Sequence, residues 1–378
     1  MTNDNDDEAN SLSSNGVEEE TDGQVAIAHP FDPAKIDVDL RPLTLDLVMK
    51  RMRHDEIDLR PAFQRNDVWT LRARSRLIES ILVRIPLPAF YIDGTNDAKW
   101  VVVDGLQRLS AIKQFAVVET MKLKGLEFLT QFDGFKFREL PRDLQRRMEE
   151  TQITVYIIRP GTPENVKFNI FDRINTGAVP LSPQEIRQAL NQGPATEMLE
   201  RLASSDAFQR ATASSIRDLR MTDREFVLRF IAFFLEPSPS EVTTKAGGFD
   251  FFLHQAMKKL NIATDAERER LETAFIRAME IALQVFGAYA FRKRETVVDR
   301  RNRVNKALFE SWSVAFARLS PDQVSRLIAR KEEAVARSIA LMRDSEFNDA
   351  ISQSTGDPKK IRLRFERVQA AIDEVLAS

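Results

Sequence analysis

A chain of 378 residues, 43% hydrophobic and 30% charged, can bury one large core or two ordinary ones, and its formal charge of −2 singles out no partner. The absence of cysteine excludes disulfides, a thiol nucleophile and a thiolate metal site, and three scattered histidines (His29, His54, His254) argue against a histidine zinc site or an H-N-H nuclease centre. There is no apolar run of about eighteen residues. The start, M-T-N-D-N-D-D-E, has neither the basic nor the apolar region of a signal peptide, so a cytoplasmic protein with no membrane association is expected.

The charge is unevenly placed. Asp4, Asp6, Asp7, Glu8, Glu18, Glu19, Glu20 and Asp22 carry no base among them, which leaves the remainder at +6. Residues 1–35 are polar and lack apolar periodicity, so a disordered acidic tail is expected there. Leu43, Leu47 and Met52 suggest a short helix within 40–52, and 57–69 reads as an extended piece and a polar loop. Leu77, Ile78, Ile81, Leu82 and Ile85 share a helical face that Pro86 and Pro88 close. Strands follow at 89–92 and 100–103, the second giving way to a helix carrying Leu109, Ile112, Phe115 and Ala116.

Phe128, Phe132, Phe135 and Phe137 predict small strands or a hairpin around Asp133-Gly134. A helix is expected over 143–150 and a β-branched core strand over 153–158. Val166, Ile170, Phe171 and Ile174 form a helical stripe that Gly177 would end. Ser182-Pro183-Gln184-Glu185 combines a capping box with proline at the first helical position. Thr222-Asp223-Arg224-Glu225 is a second capping box, ahead of an apolar helix closed by Pro237 and Pro239. Helical patterns continue over 249–260, 265–291, 303–319, 321–343 and 358–376. The expected architecture is α+β: a small mixed sheet with helices over 36–195, then an all-helical domain over 196–378.

The chemistry-bearing stretch is Lys99 to Phe115, where strand turns to helix at Asp104-Gly105-Leu106-Gln107-Arg108. Gly105 permits an unusual φ or a close ligand approach. The first helical turn has free N–H groups and the positive end of the dipole, and Arg108 adds a bidentate donor. Taken alone, D-G-x-x-R reads first as an ordinary turn with Asp104 as cap and Arg108 in solvent, and second as a phosphate corner. Gln64, Arg65, Arg173, Asn175, Glu185 and Arg187 lie at loop ends beside predicted sheet elements. Convergent, they would suit a triphosphate and Mg²⁺; apart, they are surface ion pairs. Glu79 is a candidate buried base or metal carboxylate, or a salt-bridge partner. Two basic runs, Arg292-Lys293-Arg294 with Arg300, Arg301 and Arg303, and Lys359, Lys360, Arg362, Arg364 and Arg367, suit DNA phosphates or a solvated face. No G-x-x-x-x-G-K-[ST] or G-x-S-x-G motif is present.

Together F-Q-R-N-D-V-W (63–69), S-R-L-I-E-S-I-L-V-R-I-P-L-P (75–88), V-V-D-G-L-Q-R-L-S-A-I (102–112) and F-D-R-I-N-T-G-A-V-P-L-S-P-Q-E-I-R (171–187) resemble, in order and spacing, the N-terminal domain of GmrSD-type modification-dependent restriction enzymes. The resemblance covers about 40–240, and 305–315 is similar to the helical extension of stand-alone members. It implies a ParB/sulfiredoxin-like nucleotide-binding domain in which Asp104, Gly105, Gln107 and Arg108 grip phosphates, with Gln64 and Arg65 beside them. The implied ligand is GTP, ATP or CTP with Mg²⁺, and the implied role is an NTP-hydrolysing regulatory or sensing part of phage defence. DNA, a separate nuclease subunit and a second copy of the chain are the partners that fit this role, because the H-N-H half is missing. Where members read D-G-Q-Q-R this chain reads D-G-L-Q-R. The alternatives are a DNA-binding or nicking protein using the same corner on phosphodiesters, and a non-catalytic adaptor with a decayed site.

Overall fold

The computed structural model describes residues 16–18, 36–59, 69–163, 166–167, 170–171, 174, 182–218, 220–238 and 248–377. The chain divides into two compact units, Phe31–Leu190 and Asn191–Ser378 joined by Met1–Pro30. The division falls a few residues before the expected boundary at 195.

The first unit is α+β. Its strands are β1 (Val38–Thr44), β2 (Ile57–Asp58), β3 (Phe90–Asp93), β4 (Trp100–Asp104) and β5 (Gln152–Ile158), and they form one mixed sheet in the order β1-β5-β3-β4-β2. β1 pairs antiparallel with β5 from Val38 opposite Ile158 to Thr44 opposite Gln152. β3 runs parallel to β5 and antiparallel to β4, and β2 runs parallel to β4. The expected helix over 40–52 is thus a strand followed by a helix. β1 sits at the sheet edge, the position that tolerates Pro42 in a ladder.

Helices α1 (Leu45–Arg53), α2 (Leu71–Leu82), α3 (Leu106–Ile112) and α4 (Arg142–Glu150) cover one face of the sheet. Thr44 and Thr70 cap α1 and α2 by accepting from the N–H of Leu47 and Ala73. Period-two alternation sends Phe90, Ile92, Trp100, Val102, Ile153 and Val155 into this core, where they meet Leu45, Met49, Ile78, Leu82, Ile112 and Met148. The opposite face holds a smaller cluster of Val103, Ile158, Phe171 and Ile186.

No strand forms between Met121 and Glu139, contrary to the expected hairpin; two 3₁₀ turns, Thr130–Phe132 and Phe137–Glu139, stand there instead. Carboxylates take the place of a ladder in satisfying this backbone. Asp133 accepts from the N–H of Gly125 and Leu126, and Glu79 from those of Glu127, Phe128 and Leu129. Phe137 is buried, whereas Phe128 is 69% exposed. Val166, Ile170, Phe171 and Ile174, the expected stripe, are all helical, with Val166 and Phe171 buried, and Gly177 lies outside the described residues. The capping box at Ser182 forms as the sequence predicts: Ser182 N–H donates to Glu185 Oε2 at 2.5 Å and Glu185 N–H to Ser182 Oγ at 3.1 Å. It opens α5 (Pro183–Leu190).

The second unit is helical: α6 (Pro194–Ala203), α7 (Asp206–Ala211), α8 (Thr222–Leu235), α9 (Gly248–Ile262), α10 (Asp265–Phe286), α11 (Lys306–Arg318), α12 (Pro321–Ala329), α13 (Lys331–Arg343), α14 (Ser345–Ser352) and α15 (Pro358–Ala377). Its core is aromatic, with Phe208, Phe226, Phe230, Phe275, Phe309 and Phe316 all fully buried. α8 starts at Thr222 itself, after Met221 in the left-handed region, so the second expected capping box is not what begins it.

Part of the expected tail is docked. Val17 is buried and bridges Val304, Glu18 N–H donates to Val304 O at 2.8 Å, and Val304 N–H donates to Gly16 O at 3.0 Å. A single valine between glycine and three glutamates carries no periodicity, so its burial left no sequence signal. The other residues of 1–35 lie outside the described set. Among the described residues no helix is long and apolar enough to cross a membrane.

Candidate functional site

The corner at the end of β4 is shaped by three local facts. Gly105 has φ +93°, in the left-handed region that lets the chain turn from strand into α3. A Cβ there would lie 2.4 Å from Phe90 Cδ1, so the position excludes any side chain. Opposite it the β3–β4 register slips: Tyr91 faces Asp104 while Ile92 faces Val102, leaving Val103 as an extra residue that turns the strand end.

Gly105 offers no capping side chain, so the first-turn N–H groups of α3 receive no side-chain cap. Leu106 packs against the main core, and Gln107, half-buried, has no hydrogen-bond partner among the described residues. Leu106 therefore occupies an inward position, and the amide that the motif retains is the unengaged one. Asp104 is 37% exposed at its side chain.

Arg108 turns inward. Its Nη2 donates to Asp104 Oδ2 at 2.9 Å and to Ala89 O at 3.1 Å, its Nη1 donates to Pro88 O, and its guanidinium lies 4.3 Å from the centroid of the Phe90 ring. Burial draws its pKa down, and Asp104 opposes this. The expected role as an outward phosphate grip is not the arrangement seen. Arg108 instead ties Asp104 to the segment entering β3.

Glu79 is likewise committed. Its carboxylate takes the N–H groups of Glu127 at 2.9 and 3.0 Å, Phe128 at 2.7 Å and Leu129 at 2.8 Å. Burial pushes its pKa up, but these backbone donors and Arg76 outweigh burial, so the carboxyl sits below its ordinary value. This is the geometry of a loop clamp, with the lone pairs of a general base already engaged.

α5 packs against β4, where Ile186 shares an apolar cluster with Val103. Glu185 and Arg187 of this helix are buried, and Arg187 Nε donates to Gln184 Oε1 at 2.9 Å. The Gln184 Nε2 is buried with no partner among the described residues. Gln64, Arg65, Arg173 and Asn175 lie outside the described residues. Among the described residues no group of three metal-ligating side chains occurs.

Two tyrosines join the site that the motif reading did not include. Tyr91 and Tyr156 occupy the same register on parallel β3 and β5, and their rings stack with centroids 4.9 Å apart. Burial, then Tyr156 and Asp104, raise the pKa of Tyr91. The sequence signal was the matching alternation of F-Y-I-D and V-Y-I-I, which puts both rings on one face once the strands are paired.

A scan against protein-family models matches residues 47–191 to the GmrSD restriction endonuclease, N-terminal domain. Comparisons with curated proteins and with solved structures found no match. Residues 47–191 are thus similar to the N-terminal domain of GmrSD restriction endonucleases, a similarity that points to a role in a restriction system.

Proposed function

We propose that the first unit binds a nucleoside triphosphate at the Asp104–Arg108 corner and acts as the nucleotide-hydrolysing regulatory part of a restriction system, with a separate nuclease subunit cutting the DNA. The observation that carries this reading is a side-chain-free turn at Gly105 beside an unengaged Gln107 amide and an uncapped first turn of α3. Such a turn presents donors to an anion without a Cβ in the way. Asp104, partly exposed, is the carboxylate placed to hold Mg²⁺, with phosphate oxygens and water completing its shell, the ordinary manner of Mg²⁺ in such sites. Asp104 and Gln107 are then the groups facing the reacting phosphate, and Arg108 fixes Asp104. Tyr91 and Tyr156 offer an aromatic face beside the corner. GTP, ATP and CTP remain equivalent to this chemistry.

The test is calorimetric titration of the whole chain with ATP, GTP, CTP and UTP in Mg²⁺, beside thermal melts. Gln107→Ala should leave the melt unchanged and weaken binding by up to about ten-fold, the worth of a neutral hydrogen bond. Arg108→Ala should lower stability by about 1–3 kcal/mol through the Asp104, Pro88 and Ala89 groups it strands. A wild-type chain that binds none of the four, or a Gln107→Ala chain that binds as tightly as wild type, overturns the reading.

A further inference from the structure

The helical unit holds a cleft that the nucleotide reading does not use. It opens where α10 ends at Phe286 and the chain passes through the 3₁₀ turn Gly287–Tyr289 to Arg292 and Arg294. Helical spacing supplies the other walls: Leu308 and Trp312 stand one turn apart on α11, and Val335, Ser338 and Ile339 share one face of α13. Phe286 and Trp312 meet edge to face with ring centroids 4.9 Å apart, which fixes the aromatic wall. The cleft is shallow and partly open to solvent, with about 20 Å³ of room inside it, enough for one group of a water's size.

The polar side chains of this cleft are donors. Arg292 is 5% exposed and gives its N–H groups to Ala288 O at 3.2 Å, Thr212 O at 2.8 Å, Ser215 Oγ at 2.7 Å and Asn302 O, all of them neutral acceptors. Among the described residues no carboxylate pairs with it. Carbonyls satisfy its hydrogens but leave its charge unmatched, and a buried cation without a counter-ion is costly. Burial first, and the charge of Arg301 second, draw its pKa down to about 10, so it is still a cation at neutral pH.

Arg294 brings a second guanidinium, set 4.1 Å from the centroid of the Tyr289 ring by its bonds to Thr296 O, at 3.0 Å, and Val297 O. Its Nη1 makes no hydrogen bond among the described residues, and neither does Ser338 Oγ nor the indole N–H of Trp312, a residue only 3% exposed. The neighbouring acids are engaged elsewhere. Asp299, which feels the Arg294 charge, accepts from the N–H groups of Glu295 at 2.5 Å and Thr296 at 2.8 Å, and Glu18 accepts from Lys293 Nζ at 2.5 Å and Asn305 Nδ2 at 3.1 Å.

We infer that this cleft binds a small organic anion, a carboxylate carried on an aromatic or short apolar body. The planar carboxylate meets the guanidinium forks with Ser338 Oγ and the Trp312 N–H beside them, and the body lies against Phe286, Tyr289 and Val335. It supplies the counter-charge that the fold leaves out. Room for one water-sized group matches a flat carboxylate end better than a tetrahedral phosphate.

The probe is benzoate, with benzamide as its neutral near-isostere, titrated into the full chain and followed by tryptophan fluorescence and thermal melts. Benzoate should change the emission saturably, in the millimolar range expected of so small a ligand, and should raise the melting temperature. Benzamide should bind at least about ten-fold more weakly, and Arg294→Ala should weaken benzoate by a similar factor, the worth of a charge-assisted hydrogen bond. Trp312→Phe should abolish the fluorescence response, since Trp69 and Trp100 lie outside the cleft. Ser338→Leu, made at a half-buried position on α13, should fill the cleft and block benzoate. Arg292→Ala would also strip the anchor at Thr212 and Ser215, so the test rests on Arg294 and Ser338, whose ligand-free melts should match wild type. If Ser338→Leu unfolds, Arg294→Ala and Trp312→Phe decide. Equal affinity for benzamide overturns the anion reading. A fluorescence response that survives Trp312→Phe, or benzoate binding undiminished in Arg294→Ala, puts the ligand elsewhere and overturns the cleft, as does the absence of any saturable response.

Discussion

Glu79 illustrates how a buried carboxylate is read differently once its partners are visible. On the sequence it is an acid in a helix whose other face is packed, read first as a solvated or ion-paired residue and second as a base. In the structure three consecutive backbone N–H groups converge on it, which is how a segment without a ladder satisfies its amides. Its folded pKa is depressed, so its contribution is present above the unfolded glutamate value and is lost as pH falls through the folded one. Glu79→Gln should therefore cost about 1–3 kcal/mol at pH 7, and the gap from wild type should narrow as acid protonates the carboxylate. Chemical denaturation at pH 7 and pH 3.5 checks this; a gap equally large at both values would mean that packing, not the charge, matters there. Arg108 teaches the same lesson in reverse. Its motif position was legible, but its direction was not, because Pro88, Ala89 and Phe90 reach it only through the pairing of β3 with β4.

At the scale of elements, what the sequence shows depends on whether a segment's satisfaction is local. The Ser182 capping box, the Leu77–Leu82 stripe and the β-branched run of β5 are settled by neighbours in sequence, and each stands where the pattern puts it. β1 shows no strand pattern ahead of the expected helix because its pairing partner lies more than a hundred residues away and Pro42 breaks its alternation. The 120–139 region departs from the expected strands for a related reason, since the distant Glu79 and, within the segment, Asp133 do there what strands do elsewhere. Of the candidate site, the turn and its motif were legible; the tyrosine pair and the inward turn of Arg108 belong to strand registry, which sequence does not carry. The helical unit holds a further long-range device. Glu310 on α11 is fully buried and accepts from Arg364 on α15 and, at 3.3 Å, from Arg229 on α8. Removing one charge strands the others in a medium that cannot solvate them, so Glu310→Gln should destabilise by about 3–5 kcal/mol. A urea midpoint within error of wild type would show that the arginines find other acceptors.

On the scale of the whole molecule, two buried carboxyls, Glu79 in the α+β unit and Asp223 in the helical unit, respond to acid with opposite sign. In the helical unit burial first, and neighbouring Asp218 second, push the Asp223 carboxyl up to about 6 from its ordinary value of 3.8. A carboxyl whose folded pKa lies above its unfolded one binds its proton more tightly in the native state. Its contribution is thus complete below about pH 4 and is lost as pH rises through about 6. Glu79 in the α+β unit runs the other way, and its contribution is lost only on further acidification. Hydrogen exchange resolves the two, because it reports opening free energies segment by segment. Between pH 7 and pH 5, amides of α8 should gain protection after correction for intrinsic exchange rates, while those of α2 stay level; towards pH 4 the α2 amides should begin to lose it. Asp223→Asn removes the ionisation and should leave α8 protection flat across the first interval without altering α2. If α8 in the Asn variant still gains protection from pH 7 to pH 5, another group carries the dependence and the Asp218–Asp223 pair is not the source.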